Sequence, residues 1–337
     1  MKKITILGAG TWGTALAAML KKENGHDVVL WSAIPNELDE LSRSKKHPNL
    51  EGLVLPDGII FESEIAQACR GADFIVFAVP SPYVRETAKK LASSLDEKTI
   101  IVDVAKGLEK GTGMTLCEVI EDEIGRKNGG IVALSGPTHA EEVALGMPTA
   151  IVAASENAEA AEAVQREFSG SFFRVYTNSD IKGIEICGAM KNIIAICAGI
   201  STGLGYGDNA RAAIVTRGMA EITRLGVAMG CSGRTFESLA GIGDLVVTCM
   251  SRHSRNHRAG VLIGKGYSVE EAKKEVGMAV EGLNALPAAL ELSERLCVEL
   301  PFCHALSEVI MGTLDVKEAV NSLMLRALKP EIPSDKQ

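Results

Sequence analysis

The chain has 337 residues, enough for about two domains of ordinary size, and 46% of them are hydrophobic, which is ample for the cores of a soluble globular protein. Its formal net charge of −8 argues against a general nucleic-acid-binding surface or a surface for anionic membranes. The eight cysteines are scattered without a CxxC pair, a pattern typical of free thiols in a reducing cytoplasm and not of a disulfide framework.

The chain opens with the pattern of a strand, a tight turn and a helix. Residues 4–7 are an apolar run typical of a buried parallel strand, and residues 14–20 suit a helix. Between them stand Gly8, Gly10 and Gly13 in GxGxxG spacing. In a dinucleotide-binding unit these glycines permit the sharp turn, the approach of the backbone to a pyrophosphate, and close packing of helix on strand. Three glycines also suit a turn alone, but their place between strand and helix predicts a dinucleotide site.

A second strand is expected at residues 28–31. In folds of this kind the strand usually ends with Asp or Glu when NAD is preferred, and an Arg often lies nearby when NADP is preferred. The residues that follow, Ser32-Ala33-Ile34, supply neither. The sequence therefore leaves the choice between NAD and NADP open.

Further apolar strands alternate with helices up to residue 180. We expect strands at residues 59–61, 74–79, 99–104, 149–153 and 172–176, and helices at residues 64–69, at residues 83–95 and between the last two strands. Residues 38–56 are polar and are expected to be irregular. This alternation indicates a parallel sheet covered on both faces, which binds ligands at the carboxyl ends of its strands. Residues 8–13, 80–83, 105–107 and 135–139 should therefore surround one crevice.

The alternation stops near residue 180, and the remaining pattern is helical, with helices expected at residues 206–229, 281–296 and 301–311. We therefore predict an α/β fold in two domains. Residues 1–180 form a Rossmann-like, doubly wound parallel sheet that binds the dinucleotide, and residues 181–337 form an all-helical substrate-binding and catalytic domain. Residues 330–337 are expected to be a mobile tail.

Lys191 is the most informative residue of the second domain. Lys191 and Asn192 are the only strongly polar side chains between Glu185 and Ser201, and they interrupt the longest apolar run, so no transmembrane helix is expected. A lysine that snorkels to the surface is common, but the positions at helical spacing around this one are apolar or small. A lysine held in an apolar wall has a depressed pKa and can exchange protons near neutrality.

A basic cluster stands out against the acidic background. Arg252, Arg255 and Arg258 fall together in a stretch that contains no acid. Because guanidinium groups bind phosphate through paired hydrogen bonds, the cluster predicts a phosphate clamp that includes Ser254 and Asn256. A solvated helix face explains the same charges.

Cys249, His253 and His257 follow one another at intervals of four residues, which raises the question of a metal site. The surrounding arginines repel a cation, and no acid stands nearby. No metal is therefore expected.

Two other residues lie at the predicted crevice. Lys106 follows a buried strand at its carboxyl end. This position is the only evidence from the residues themselves for a functional role, since loop lysines are usually merely exposed. His139 could act as a general acid or base, but Ala140-Glu141-Glu142 after it equally indicates the start of a helix.

Motifs in the same order along nearly the whole chain resemble the bacterial-type NAD(P)-dependent glycerol-3-phosphate dehydrogenase family. These motifs are Gly8-Ala9-Gly10-Thr11-Trp12-Gly13-Thr14-Ala15, Ala105-Lys106-Gly107-Leu108, Leu134-Ser135-Gly136-Pro137-Thr138-His139-Ala140, Glu185-Ile186-Cys187-Gly188-Ala189-Met190-Lys191-Asn192, Gly241-Ile242-Gly243-Asp244-Leu245 and Ser254-Arg255-Asn256. The resemblance implies reversible reduction of dihydroxyacetone phosphate to sn-glycerol 3-phosphate, a precursor of glycerophospholipids. It also implies direct hydride transfer from NADH or NADPH without a metal, and a homodimer.

The resemblance also implies roles for individual residues. Lys191 is the catalytic proton donor and acceptor, and Asp244 is its partner. The substrate-binding positions are Lys106, Gly136, Thr138, Lys191, Asp244, Ser254, Arg255 and Asn256. The cofactor-binding positions are Gly8, Gly10, Thr11, Trp12, Gly13, Lys106, Ala140, Arg255, Ala279 and Glu281. Ser32-Ala33-Ile34 departs from the Arg or His of many relatives, so the adenosine contacts stay open, and residues 47–56 match the substrate-side loop too loosely for a role.

Two other functions fit part of the pattern. One is a related enzyme acting on another small acid, such as a β-hydroxyacid dehydrogenase, a 6-phosphogluconate dehydrogenase or a ketopantoate reductase. The other is a nucleotide-sensing protein without turnover. The arginine cluster favours a phosphorylated substrate over a simple carboxylate, and Lys191 with Asp244 favours an enzyme over a sensor.

Overall fold

The computed structural model describes residues 1–92, 95–125 and 129–331. Within them, one eight-stranded sheet contains Lys3–Leu7 (β1), Asp27–Trp31 (β2), Ile60–Glu62 (β3), Phe74–Phe77 (β4), Ile100–Asp103 (β5), Ile131–Ser135 (β6), Thr149–Ala154 (β7) and Phe173–Asn178 (β8). The helices that accompany these strands are Thr11–Lys22 (α1), Pro35–Ser44 (α2), Ile65–Cys69 (α3), Val84–Leu91 (α4), Leu116–Ile124 (α5), Ala140–Ala144 (α6) and Ala158–Phe168 (α7). The helices after the sheet are Ile181–Gly203 (α8), Asp208–Ala228 (α9), Asp244–Met250 (α10), Arg255–Gly264 (α11), Val269–Val276 (α12), Glu281–Leu296 (α13), Pro301–Met311 (α14) and Val316–Met324 (α15).

The strands lie in the order β3-β2-β1-β4-β5-β6-β7-β8, and the first six of them are parallel. The predicted α/β class, with a doubly wound sheet followed by helices, is confirmed. The strand order reverses between β1 and β4, and ligands bind beyond the carboxyl ends of the strands at such a point. The glycine-rich turn leaves β1 at this point, where the amide of Gly8 donates to the carbonyl of Trp31 at 2.8 Å.

The direction of the last two strands differs from the expected parallel sheet. β7 runs antiparallel to β6, with Ser135 opposite Val152, and β8 then pairs parallel to β7. A parallel crossover needs a connection that carries the chain back along the sheet. The connection after β6 contains only the five-residue α6, about 7.5 Å long, so β7 starts at the edge where β6 ends.

Three other features differ from the sequence pattern. The expectation of irregular structure from residue 38 is wrong for α2, where Pro35 begins a short helix that buries only Leu38 and Leu41. Neither α5 nor β6 is predicted above. The helix expected at residues 83–95 ends at Leu91, and residues 93–94 lie outside the described residues, as do residues 332–337 of the expected tail.

α8 is the central helix of the part that follows the sheet. The side chain of Asp180 caps it by accepting a hydrogen bond from the amide of Gly183 at 3.0 Å. By length and composition α8 could cross a membrane, but 94% of its most apolar window is buried inside the protein. It is therefore a core helix, and Lys191 sits inside that core.

Glycines bring α8 and α11 into direct backbone contact. A Cβ atom on Gly199 would lie 2.1 Å from the carbonyl oxygen of His257, and one on Gly260 would lie 2.1 Å from that of Ile196. No side chain fits between the two helices at these positions. The contact therefore places the start of α11 beside the middle of α8, where Lys191 lies.

We expect Gly260→Ala to destabilise the protein. In an open helix this change stabilises by about 1 kcal/mol, but here the methyl group would collide with the backbone of α8. The free energy of unfolding in urea titrations should fall by about 1–3 kcal/mol. The control Gly233→Ala adds a Cβ that meets nothing within 4 Å and should change stability by less than about 0.5 kcal/mol. A Gly260→Ala protein as stable as the wild type would contradict the contact.

Candidate active site

One buried carboxylate, that of Asp244, gathers two lysines at the carboxyl edge of the sheet. Lys191 comes from α8, and its Nζ lies 2.5 Å from Oδ1 of Asp244, the first residue of α10. Lys106 comes from the loop after β5, and its Nζ lies 2.7 Å from Oδ2 of the same carboxylate. Lys106 also donates to the carbonyl oxygen of Gly136 at 3.1 Å. The structure thus brings together four of the predicted site residues.

Burial and charge decide the protonation of this group. Burial is the largest influence on Lys191, and together with the neighbouring Lys106 ammonium it lowers the pKa of Lys191 to about 7, against the opposing effect of Asp244. Burial also opposes ionisation of Asp244, but the two ammonium groups outweigh it and hold the pKa of this carboxyl below its usual value. Lys191 can therefore gain or lose a proton near neutral pH while Asp244 stays charged.

Thr248 is a site residue that sequence reasoning missed. Its hydroxyl accepts a hydrogen bond from Nζ of Lys191 at 2.8 Å and donates to the carbonyl of Asp244 at 2.6 Å. It lies one helical turn after Asp244, so it shares a face with that residue. This spacing is the signal that could have found it.

Two of the predicted phosphate-binding residues at the start of α11, Ser254 and Asn256, form hydrogen bonds within the protein. The hydroxyl of Ser254 caps the helix by accepting from the amide of His257 at 3.2 Å. The amide group of Asn256 donates to Oδ1 of Asn192 at 2.9 Å and accepts from the amide of Gly282 at 2.9 Å. Ser254 thus holds the first turn of α11, and Asn256 holds α8, α11 and α13 together.

Arg255 is the free cation at this position. Its side chain is half-buried, and no described residue forms an ion pair or side-chain hydrogen bond with it. Arg252 and Arg258 are exposed, which agrees with the solvated-face explanation for those two arginines. Of the three arginines, Arg255 alone combines partial burial with a place at the N-terminus of α11, where anions bind favourably.

The loop after β6 contributes three predicted residues. Thr138 donates its hydroxyl to the carbonyl of Gly136 at 3.2 Å, and Ala140 is buried as the first residue of α6. A Cβ atom on Gly136 would lie 3.1 Å from the backbone of Ile151. Only a very small residue fits there while leaving the carbonyl of Gly136 aimed at Lys106.

The glycine-rich turn fits a dinucleotide. Gly8 has a φ angle of +122° and a Cβ there would lie 2.6 Å from the carbonyl of Ala78, while a Cβ on Gly13 would lie 2.0 Å from the carbonyl of Gly8. Gly10 is different, because a Cβ there meets nothing within 4 Å. The buried hydroxyl of Thr11, at the N-terminus of α1, has no hydrogen-bond partner among the described residues. Open space, free helix amides and an unpartnered hydroxyl suit a pyrophosphate.

The other predicted cofactor positions have different surroundings. Glu281, at the start of α13, accepts hydrogen bonds from Ser81 through both the backbone amide at 3.3 Å and the hydroxyl at 2.6 Å. It thereby ties the segment after β4 to the helical part of the chain. Trp12 packs against the core of the sheet, and Ala279 lies in the segment between α12 and α13.

Among the described residues, Cys249, His253 and His257 are not part of a group of close ligand atoms. His257 contacts the hydroxyl of Thr202 at 3.3 Å, whereas burial raises the pKa of the Cys249 thiol to about 12. Within the described residues, three candidate ligand atoms lie within 4.8 Å of one another only at Asp103, Cys117 and Glu185, which are all buried.

We expect Gly10→Val to fold but to lose dinucleotide binding. Its extended backbone, with φ −66° and ψ 179°, accepts a side chain that would occupy the open space. Calorimetry with NADH and NADPH should show affinity more than about tenfold weaker at an unchanged thermal midpoint. Gly13→Val, in contrast, should lower the thermal midpoint, because its Cβ collides with backbone. Unchanged affinity in a folded Gly10→Val protein would rule out this turn as the pyrophosphate site.

Comparison with known proteins gives matches along nearly the whole chain. The family model described as NAD-dependent glycerol-3-phosphate dehydrogenase N-terminus matches residues 3–161, and the corresponding C-terminus model matches residues 180–321. Glycerol-3-phosphate dehydrogenase (NAD(P)+) 2 of Lactobacillus delbrueckii subsp. bulgaricus is 56% identical over 98% of this chain and 99% of its own. A glycerol-3-phosphate dehydrogenase (NAD(P)+) of Bacillus velezensis is 47% identical over 98% of this chain and 96% of its own.

A solved structure extends the similarity to the fold. The crystal structure of glycerol-3-phosphate dehydrogenase from Coxiella burnetii has a TM-score of 0.92 at 37% identity, covering 96% of this chain and 99% of that one. These matches favour the resemblance over the related dehydrogenases and the non-catalytic sensor considered above. The chain belongs to the NAD-dependent glycerol-3-phosphate dehydrogenase family of oxidoreductases.

Proposed function

We propose that this chain reduces dihydroxyacetone phosphate to sn-glycerol 3-phosphate with NADH or NADPH, and that Lys191 exchanges the proton. The observation that carries the proposal is the buried contact of Lys191 with Asp244, which leaves a lysine of pKa about 7 at the carboxyl edge of the sheet. The product is a precursor of glycerophospholipids. The reaction is reversible, so the same lysine accepts the proton during oxidation.

The residues of the chain supply binding, orientation and charge. When bound, the reduced nicotinamide supplies a hydride to the ketone carbon. Lys191 donates a proton from Nζ to the oxygen of that ketone as negative charge develops on it. Asp244 holds the ammonium in place, and Lys106 adds a second positive charge that stabilises the same oxygen. No metal is needed for these steps.

The remaining residues position the two ligands. Arg255 binds the phosphate of the substrate, while Ser254 and Asn256 hold the start of α11 and Gly136 and Thr138 shape the loop opposite. Gly8, Gly10, Thr11 and Gly13 receive the pyrophosphate, and Trp12, Ala140, Ala279 and Glu281 complete the cofactor side together with Lys106 and Arg255. Neither set of contacts distinguishes NAD from NADP.

The proposal extends to organisation and location. We place the domain boundary at residue 180, between the end of β8 and the start of α8, with residues 1–180 on the dinucleotide side and residues 181–337 on the substrate side. The family resemblance supports a homodimer. The eight free cysteines support a cytoplasmic location.

Replacing the proposed proton donor tests the function most directly. Lys191→Met should fold, because Met matches the length of Lys and Asp244 keeps Lys106 as its partner. Turnover of saturating dihydroxyacetone phosphate should fall by roughly 10²–10⁴ while the Kd for NADH stays near that of the wild type. The control Lys182→Met removes a half-exposed lysine from the same helix, paired with Glu118, and should retain turnover. A folded, cofactor-binding Lys191→Met protein with near-native kcat would remove Lys191 from the mechanism.

The phosphate contact is tested with two substrates. Arg255→Ala should lower kcat/KM for dihydroxyacetone phosphate by roughly 10- to 150-fold, equivalent to about 1.5–3 kcal/mol for a lost charge-assisted contact. The value for dihydroxyacetone, which has no phosphate, should change little. Arg258→Ala, an exposed position one turn further along α11, serves as the control. An equal loss with both substrates would contradict a phosphate role for Arg255.

A further inference from the structure

The loop after β6 places a histidine beside the two active-site lysines. His139 precedes α6 at the position of a helix cap, but its side chain forms no capping hydrogen bond. The ring instead lies 5.8 Å, centroid to centroid, from the ring of His253 and within the electrostatic influence of Lys191, Asp244 and Lys106. The helix-start explanation therefore accounts for the backbone of His139 and not for its imidazole.

One nitrogen of this imidazole has no partner. Nε2 of His139 is buried and forms no hydrogen bond with any described residue. Burial is the main cause that lowers the pKa of His139 to about 4, and the positive charge of Lys191 adds to it. The ring is therefore neutral at neutral pH, with one nitrogen as donor and the other as acceptor. A buried polar atom without a partner is unfavourable, and a bound ligand can supply the missing hydrogen bond.

The substrate offers three kinds of oxygen to this site. The phosphate is strongly anionic and suits a cation, which Arg255 provides. The ketone oxygen becomes negatively charged during reduction and suits the ammonium of Lys191. The remaining hydroxyl is neutral and can both donate and accept, so it matches a neutral imidazole in either tautomer.

We propose that His139 is a specificity-determining residue whose Nε2 forms a hydrogen bond with the substrate hydroxyl on the carbon that is neither reduced nor phosphorylated. This inference rests on the proposed function and deepens it. The hydrogen bond would let the enzyme reject phosphorylated ketones in which a methyl group replaces the hydroxymethyl group. Such a ligand would leave the buried nitrogen unpaired.

The test compares dihydroxyacetone phosphate with hydroxyacetone phosphate, which has a methyl group in place of the hydroxymethyl group. The wild type should prefer dihydroxyacetone phosphate by more than about tenfold in kcat/KM. His139→Phe keeps a ring of similar size without nitrogens. It should lower kcat/KM for dihydroxyacetone phosphate by roughly 10- to 100-fold and leave the value for hydroxyacetone phosphate within about threefold, so that the preference is lost. His139→Gln, which retains a hydrogen-bonding side chain, should recover part of the preference.

His253→Phe provides the matched control, because it changes the neighbouring ring without removing Nε2 of His139. It should leave the ratio between the two substrates unchanged. A wild type that reduces dihydroxyacetone phosphate without preferring it would overturn the inference and leave the proposed function intact, even if no His139 variant folds. An equal loss of kcat/KM for both substrates in His139→Phe would also overturn the inference and leave the proposed function intact. It would indicate a structural or proton-relay role for His139. A wild type that reduces neither ketone would overturn both.

Discussion

The carboxylate of Asp244 is the point on which packing and chemistry both depend. It binds an ammonium group from the loop after β5 and another from α8, so it joins the sheet to the helical part of the chain at a buried position. One carboxylate balances only one of these two charges, and burial penalises the rest. Burial above all, together with the second ammonium group, lowers the pKa of Lys191 to about 7, so the same contact is both a structural tie and a source of exchangeable protons.

This contact requires α8 to be held firmly, and two features hold it. The glycines of α8 and α11 let the two backbones touch, which fixes their separation. A chain of hydrogen bonds then runs from Asn192 on α8 to Asn256 on α11 and on to the amide of Gly282 on α13. Backbone contact sets the distance between the helices, and the amide chain sets their register.

A comparison of three buried carboxyl groups shows that neighbouring cations, and not burial alone, decide whether such a group is ionised. Asp103 ends β5 and Glu185 lies on α8, and burial raises the pKa of both, that of Glu185 to about 7. No described cation forms an ion pair with either of them, and Oε1 of Glu185 accepts a hydrogen bond from the amide of Cys117 at 2.8 Å. Asp244 is equally buried but its pKa is lowered, because two ammonium groups face it. The two ammonium groups thus keep Asp244 ionised, whereas burial without a paired cation favours the protonated form of Asp103 and Glu185.

The sequence by itself determined the features that depend on neighbours along the chain. The glycine spacing between a strand and a helix predicted the turn at Gly8, and the lone polar pair in an apolar helix predicted a buried Lys191. Local patterns succeed there because backbone strain, helical spacing and hydrophobicity act over a few residues. Only the tertiary structure decided which groups meet: Asp244 lies 53 residues from Lys191 and 138 from Lys106, and no local pattern encodes such pairings. The same reason explains the reversed direction of β7, the structural engagement of Asn256, and the position of His139 beside His253, since each is set by contacts between segments that the chain brings together only when it folds.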